Sequence, residues 1–156
     1  MDSALLKSEL ADIADQHSID RIGFCTAAVF EDVREALHTR KAAGLSADMN
    51  FTYRNPDRAT DPARALEGAR SLVVGARSYR RRSPEVDNHG PTAEVAEYVW
   101  EEHYVALRSG LDAIGERLRA DGWKTRTLID DNALVDRAAA HRAGICLLYT
   151  SPSPRD

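Results

Sequence analysis

A chain of 156 residues has room for one hydrophobic core rather than two. Its 43% hydrophobic and 29% charged residues exclude wholesale disorder, and no apolar run approaches the roughly 20 residues of a spanning helix. The net charge of -4 argues against a general nucleic-acid binder, and the two cysteines, Cys25 and Cys146, provide neither a disulfide framework nor metal-ligand spacing, so no metal site is expected.

The opening text MDSALLKSELADIADQ has acids in its first turns and lacks a basic region followed by an apolar block, which predicts no secretory signal and a cytoplasmic address. Leu6, Leu10, Ile13 and Ala14 recur at helical spacing and predict a helix over residues 3–16. Residues 19–27 alternate Ile22, Phe24 and Thr26 against Arg21, Gly23 and Cys25, the period of a strand. A second helix is expected over residues 29–43, with Phe30, Val33 and Leu37 on one face and Gly44 as its left-handed cap. Residues 45–68 read as a surface connector with a short helical turn at each end, because the residues before Pro56 and Pro62 are pushed out of helix. A central strand buried on both faces is expected over residues 71–79, followed by an arginine-rich loop to Pro91.

The longest helix is expected over residues 93–120, capped by Thr92, since Trp100, Tyr104, Leu107, Leu111, Ile114 and Leu118 share one stripe. Residues 124–129 read as a third strand and residues 132–143 as a closing helix ended by Gly144. The fold class is therefore α/β (α+β), with helices covering a central sheet. From Cys146 the text CLLYTSPSPRD loses all periodicity; it resembles the translation of a transposase sequencing adapter, so residues 146–156 are expected to be a non-native tail.

Two places concentrate chemistry. Asp130 and Asp131 stand where the predicted third strand passes into a helix, a junction at which α/β sheets place ligands, and where two aspartates can equally serve as helix caps. Asp136 and Arg137 follow as a neighbouring pair, expected to be a solvated ion pair. The second place is Arg77, Tyr79, Arg80, Arg81 and Arg82: guanidinium groups bind phosphate bidentately and a tyrosine can stack on a base, whereas a charge run can also be a solvated loop. The five histidines share no spacing, Cys25 reads as a small buried hydrophobe, and neither a Walker motif nor a dinucleotide fingerprint is present.

The series Met49-Asn50-Phe51, Arg54-Asn55-Pro56, Asp61-Pro62, Gly68 to Val74, Tyr79, Tyr98, His103-Tyr104, Asp130 to Arg137 and Arg142-Ala143-Gly144 resembles the amino-terminal half of the epoxyqueuosine reductases, in order, over residues 1–145. That resemblance implies a nitroreductase-like cobalamin-binding domain, incomplete here, from an oxidoreductase that reduces epoxyqueuosine to queuosine at the tRNA wobble position. Its electron-delivering part, with two 4Fe-4S iron-sulfur clusters, would be missing, leaving this chain inactive alone. Asp130 matches the aspartate proposed as proton donor in that family, and Tyr79, Arg80, Arg81 and Arg82 are the expected tRNA contacts; no membrane or DNA partner is implied. Glu97 stands where an arginine is expected before the tyrosine and reverses a charge there. Two other readings stand beside it: a non-catalytic RNA- or phosphate-binding module using the loop from Arg77 to Arg82, and a flavin-type nitroreductase relative.

Overall fold

The computed structural model describes residues 3–48, 50–79 and 96–145, with the side chain of Glu97 excepted. Helix α1 spans Ser3–Gln16, strand β1 Arg21–Thr26, helix α2 Glu31–Ala42, and three short turns follow: a 3₁₀ turn at Phe51–Arg54, α3 at Pro56–Ala59 and α4 at Pro62–Ala65. Strand β2 is Ser71–Ala76, a 3₁₀ turn lies at Glu97–Val99, α5 spans His103–Ala120 and α6 Asp136–Arg142.

The sheet has two strands, paired antiparallel with Phe24 opposite Val73 and Arg21 opposite Ala76. Because side chains alternate along a strand, the ladder has two working faces. One carries Ile22, Phe24 and Val73 against Leu10 and Ala14 of α1 and Ile114 of α5, with Ile19 buried among them. The other carries Leu72 and Val74 against Phe30, Leu134 and Ala139. Helices therefore pack on both faces, but the strands are only partly covered: Gly23 alone is buried in β1 and no residue of β2 is, so the expected strand buried on both faces is half-buried, a two-stranded ladder leaving both strands at an edge.

Local chemistry explains the connector. Asn55 and Asp61, each forced out of the helical region by the following proline, cap α3 and α4 through side-chain bonds to Arg58 N–H and Ala63 N–H, both at 3.0 Å. Three turns form where two were expected. Gly44 closes the turn after α2 with φ of 71°, as its position predicts.

The expected third strand does not form. Residues 124–129 run extended without a ladder partner among the described residues; side chains anchor them instead, Thr127 donating to Asp112 at 2.6 Å, Arg126 to the carbonyl of Ala65 at 2.7 Å, and Arg119 to Thr125. Leu128 also packs against the cluster of Phe30, Leu134 and Ala139, so the segment is held by side chains and not by sheet pairing. Helix α5 begins at His103, ten residues later than expected, and Thr92 lies outside the described residues. Glu102 is the cap, its carboxylate accepting the Tyr104 N–H at 2.8 Å. Trp100 and Tyr104, placed on the apolar stripe by spacing, are 39% and 49% exposed, so the core stripe starts at Leu107.

Helices α1 and α5 are joined by Arg117, which holds both oxygens of Glu9 at 2.7 and 2.8 Å and reaches Asp121 at 2.8 Å. Beneath that clamp the helices close on Gly110. A Cβ there would stand 2.7 Å from Ile19 Cδ1 and 2.9 Å from His17 Cβ. Alanine should raise helix propensity by about 1 kcal/mol, but overpacking costs about 1–3 kcal/mol. Gly110→Ala is therefore expected to lower the thermal midpoint of the chain, measured by circular dichroism; a raised midpoint would contradict the close approach of α5 to the turn after α1.

Candidate functional site

Beyond residue 129 the chain turns through Asp130, which sits at φ of 49° in the left-handed region. That conformation costs most L-residues about 1–2 kcal/mol, less for aspartate, whose short side chain can bond locally. Asp131 follows, and its Oδ1 accepts the Ala133 N–H at 2.9 Å while its Oδ2 lies 4.0 Å from Arg126. Asp131 closes this turn and not a helix, since α6 starts at Asp136. The delay has a packing cause: Ala133 and Leu134 are buried, and Val135 gives its N–H to the carbonyl of Ala59 at 3.0 Å, which ties the segment to α3 before helical bonding can begin.

Asp130 is exposed, and its carboxyl lies on the side of the turn that faces Tyr104 of α5. The charge of Asp130 holds the Tyr104 phenol above its ordinary range, with desolvation adding to the effect. Asp136 does not form the expected solvated pair with Arg137. Desolvation of its carboxyl, reinforced by the charges of Asp130 and Asp131, pushes its pKa up to about 6 even though part of the residue reaches the surface. Three carboxylates and one phenol therefore meet at this turn.

Tyr79 leaves the end of β2 half exposed, 6.1 Å edge-on from the ring of Tyr98 and 6.1 Å from that of His103. The rings of Tyr79, Tyr98 and His103 thus form an open aromatic group at the N-terminal end of the helix that carries Tyr104. Arg80, Arg81 and Arg82 lie outside the described residues, as does the side chain of Glu97. On the opposite side of the sheet from α1, Cys25 is half-buried, its thiol pushed up by burial and set 3.9 Å from the carbonyl of Ala139. Arg142 lies flat on the Phe30 ring, 3.4 Å from its centroid, and donates to the carbonyls of Ala28 and Val29. It locks α6 to the start of α2.

No family model matches the chain. It is 28% identical over 146 residues to the epoxyqueuosine reductase of Bacillus subtilis (strain 168), covering 90% of this chain and 37% of that protein. A crystal structure of epoxyqueuosine reductase with a tRNA-Tyr epoxyqueuosine-modified stem loop superposes with a TM-score of 0.78 at 27% identity, covering 92% of this chain and 39% of that one. The chain is related to the epoxyqueuosine reductases. A second structure, from Bacillus subtilis, has an aspartate-bearing catalytic loop swung out of the active site; it superposes with a TM-score of 0.70 at 26% identity over 92% of this chain and 39% of that one. The chain spans about two fifths of the length of these epoxyqueuosine reductases. Among the described residues no helix is long and apolar enough to cross a membrane.

Sequence reasoning reached Asp130 and Tyr79 as candidate site residues but not the proximity of Tyr104 to Asp130. Spacing assigned Tyr104 to the apolar stripe; the available signal was its polar tip on the first turn of a helix, where a stripe residue has little to pack against.

Two outcomes are expected at this turn. Removing the charge in Asp130→Asn, an exchange the left-handed backbone tolerates, should lower the ionisation midpoint of Tyr104, followed by tyrosinate absorbance; an unchanged midpoint would contradict the contact. For Asp136 the folded pKa of about 6 exceeds the ordinary 3.8. The folded state then holds the proton more tightly, so this contribution to stability is complete below about pH 4 and is lost as the pH rises to about 6. Asp136→Asn should flatten that decline and stabilise the chain at pH 7, read from urea midpoints across pH; a variant less stable at pH 7 would count against it.

Proposed function

We propose that residues 1–145 are the cobalamin-binding portion of a cytoplasmic epoxyqueuosine reductase, acting on epoxyqueuosine at the wobble position of tRNA, with Asp130 as its proton donor and Tyr104 as the residue that orients it. On this reading residues 146–156 are a non-native tail. The observation that carries the proposal is the Asp130 turn: an exposed carboxyl on a loop in the left-handed conformation, close enough to Tyr104 for its charge to act on that phenol. A related structure with a catalytic aspartate loop that swings out of its active site supports the same reading.

The chemistry explains why such a group is needed. Removing an epoxide oxygen as water consumes two electrons and two protons, and an oxide is a poor leaving group. A positioned carboxylic acid that protonates the departing oxygen typically contributes 10²–10⁴ in rate. Desolvation, with the charges of Asp130 and Asp131, favours the protonated form of the neighbouring Asp136. Tyr79 and Tyr98 offer open ring faces on which a base can stack.

The electrons come from other groups, cobalamin and two 4Fe-4S clusters in the family resembled. The described residues do not enclose a corrin. Two of their cavities are about 230 Å³, beside Lys41, Asn50, Tyr53 and Arg54, and about 460 Å³, beside Arg21 and Arg77, and neither of these is lined by Asp130. Even drug-sized ligands occupy pockets of ~300–1,000 Å³, and a corrin is larger. These residues supply one wall of a cofactor site at most, and no step is assigned to the cofactor on this chain.

Titrating the purified chain with cobalamin tests the cofactor assignment: a shift of the corrin absorption bands is expected by roughly 50 µM, where a site of about -6 kcal/mol is half filled. No shift would remove that part of the proposal. When the electron-delivering part is supplied, Asp130→Asn is expected to lower turnover of epoxyqueuosine-containing tRNA by ~10²–10⁴ with little change in tRNA affinity. Turnover within a factor of two of the unaltered protein would exclude Asp130 as the acid.

A further inference from the structure

Three contacts join α5 to the segment that returns from it, and they fall in reverse order along the helix. Arg119 donates to Thr125, the Thr127 hydroxyl donates to Oδ1 of Asp112 at 2.6 Å, and the charge of Asp130 acts on Tyr104. The segment thus runs back along α5, from its last turn to its first. Its backbone has no part in this, since residues 124–130 make no backbone–backbone hydrogen bond among the described residues. Side chains alone set the path.

The spacing singles out the contact that decides where Asp130 arrives. Asp112 and Tyr104 stand eight residues apart, ~12 Å along a helix, and the three steps from Thr127 to Asp130 cover ~10 Å of extended chain. With Thr127 pinned at Asp112, residue 130 is delivered to the level of Tyr104. The other ties that bracket Asp130 refer to the connector and not to α5: Arg126 donates to the carbonyl of Ala65, and the Val135 N–H to that of Ala59. They leave its distance from the helix open. The Thr127 bond is also of a strong kind. It has the length of a hydrogen bond to an ionised carboxylate, both side chains are half-buried, and among the described residues the Asp112 carboxylate has no other hydrogen bond and no ion pair.

We propose that Thr127 and Asp112 are the positioning pair of the site: their bond sets how far the Asp130 carboxyl stands from Tyr104, and through it the alignment of the acid with the departing oxygen. Both act through Asp130 and not on the reacting atoms. The proposal rests on the reading of Asp130 as proton donor and adds which side chains hold it in place.

Two readouts test it. In the 156-residue chain, the ionisation midpoint of Tyr104 is isolated as the tyrosinate absorbance that the matching Tyr104→Phe protein lacks. Thr127→Val removes the hydroxyl and is expected to lower that midpoint by releasing Asp130, whereas Thr127→Ser should keep it. Asp112→Ala, which removes the acceptor and leaves no unpartnered carboxylate behind, should act as Thr127→Val does. In an Asp130→Asn background Thr127→Val should change nothing further. With the electron-delivering part supplied, Thr127→Val is expected to lower kcat on epoxyqueuosine-containing tRNA by ~10–100-fold at nearly constant KM, and Thr127→Ser to keep most of the activity. An unchanged midpoint in both Thr127→Val and Asp112→Ala, or an equal fall when Asp130 is already asparagine, overturns the positioning role whatever Asp130 does in catalysis. A lowered midpoint with full turnover in both Thr127→Val and Asp130→Asn overturns the reading of Asp130 as the acid, and the catalytic half of the proposal with it.

Discussion

A ladder of two strands has almost no stability in water by itself, because most of its backbone and both faces of its side chains are open to solvent. Here everything depends on covering both faces at once. The closest approach is at Gly23 of β1, where a Cβ would stand 2.5 Å from the carbonyl oxygen of Ala143 at the end of α6. Only a residue without a side chain lets that helix end lie on the strand. From that contact the rest follows: α6 is pressed onto the sheet, Arg142 reaches across to Phe30, and the Asp130 turn that leads into α6 is carried to the N-terminal end of α5.

The site is thus assembled from two layers that do not touch in sequence. Tyr104 belongs to the helix on one face of the sheet and Asp130 to the segment that returns to the other. Neither would meet the other if residues 124–129 had joined the ladder as a third strand. Held instead by side-chain bonds to α5 and to the carbonyl of Ala65, that segment delivers Asp130 at an edge where solvent and a ligand can both reach it.

Much of this organisation was legible in the residues. The bounds of α1 agree with its apolar spacing, and Asn55 and Asp61 announce their caps because proline restricts the preceding residue so strongly. The faces of β1 were also readable, since alternation is a local property, whereas the apolar run of β2 suggested deeper burial than a two-stranded ladder gives. What was not legible depended on partners far away in sequence. Residues 124–129 read as a strand, but a strand also needs a neighbour with free backbone groups. The late start of α6 depends on a bond from Val135 to Ala59, and the pairing of Arg21 with Ala76 depends on strand register. In the candidate site, Asp130 was visible as an unusual acid, whereas the desolvation of Asp136 and the reach of Tyr104 came only from packing.

The left-handed backbone at residue 130 also limits the vocabulary of replacement open to this loop over generations. Asparagine and glycine sit comfortably in that basin but carry no acid; glutamate carries the acid but suits the basin less well and sets it one methylene farther out. With Asp130 in the proposed role of acid, backbone shape and proton chemistry select the same side chain independently, and drift at this codon would have to surrender one to keep the other.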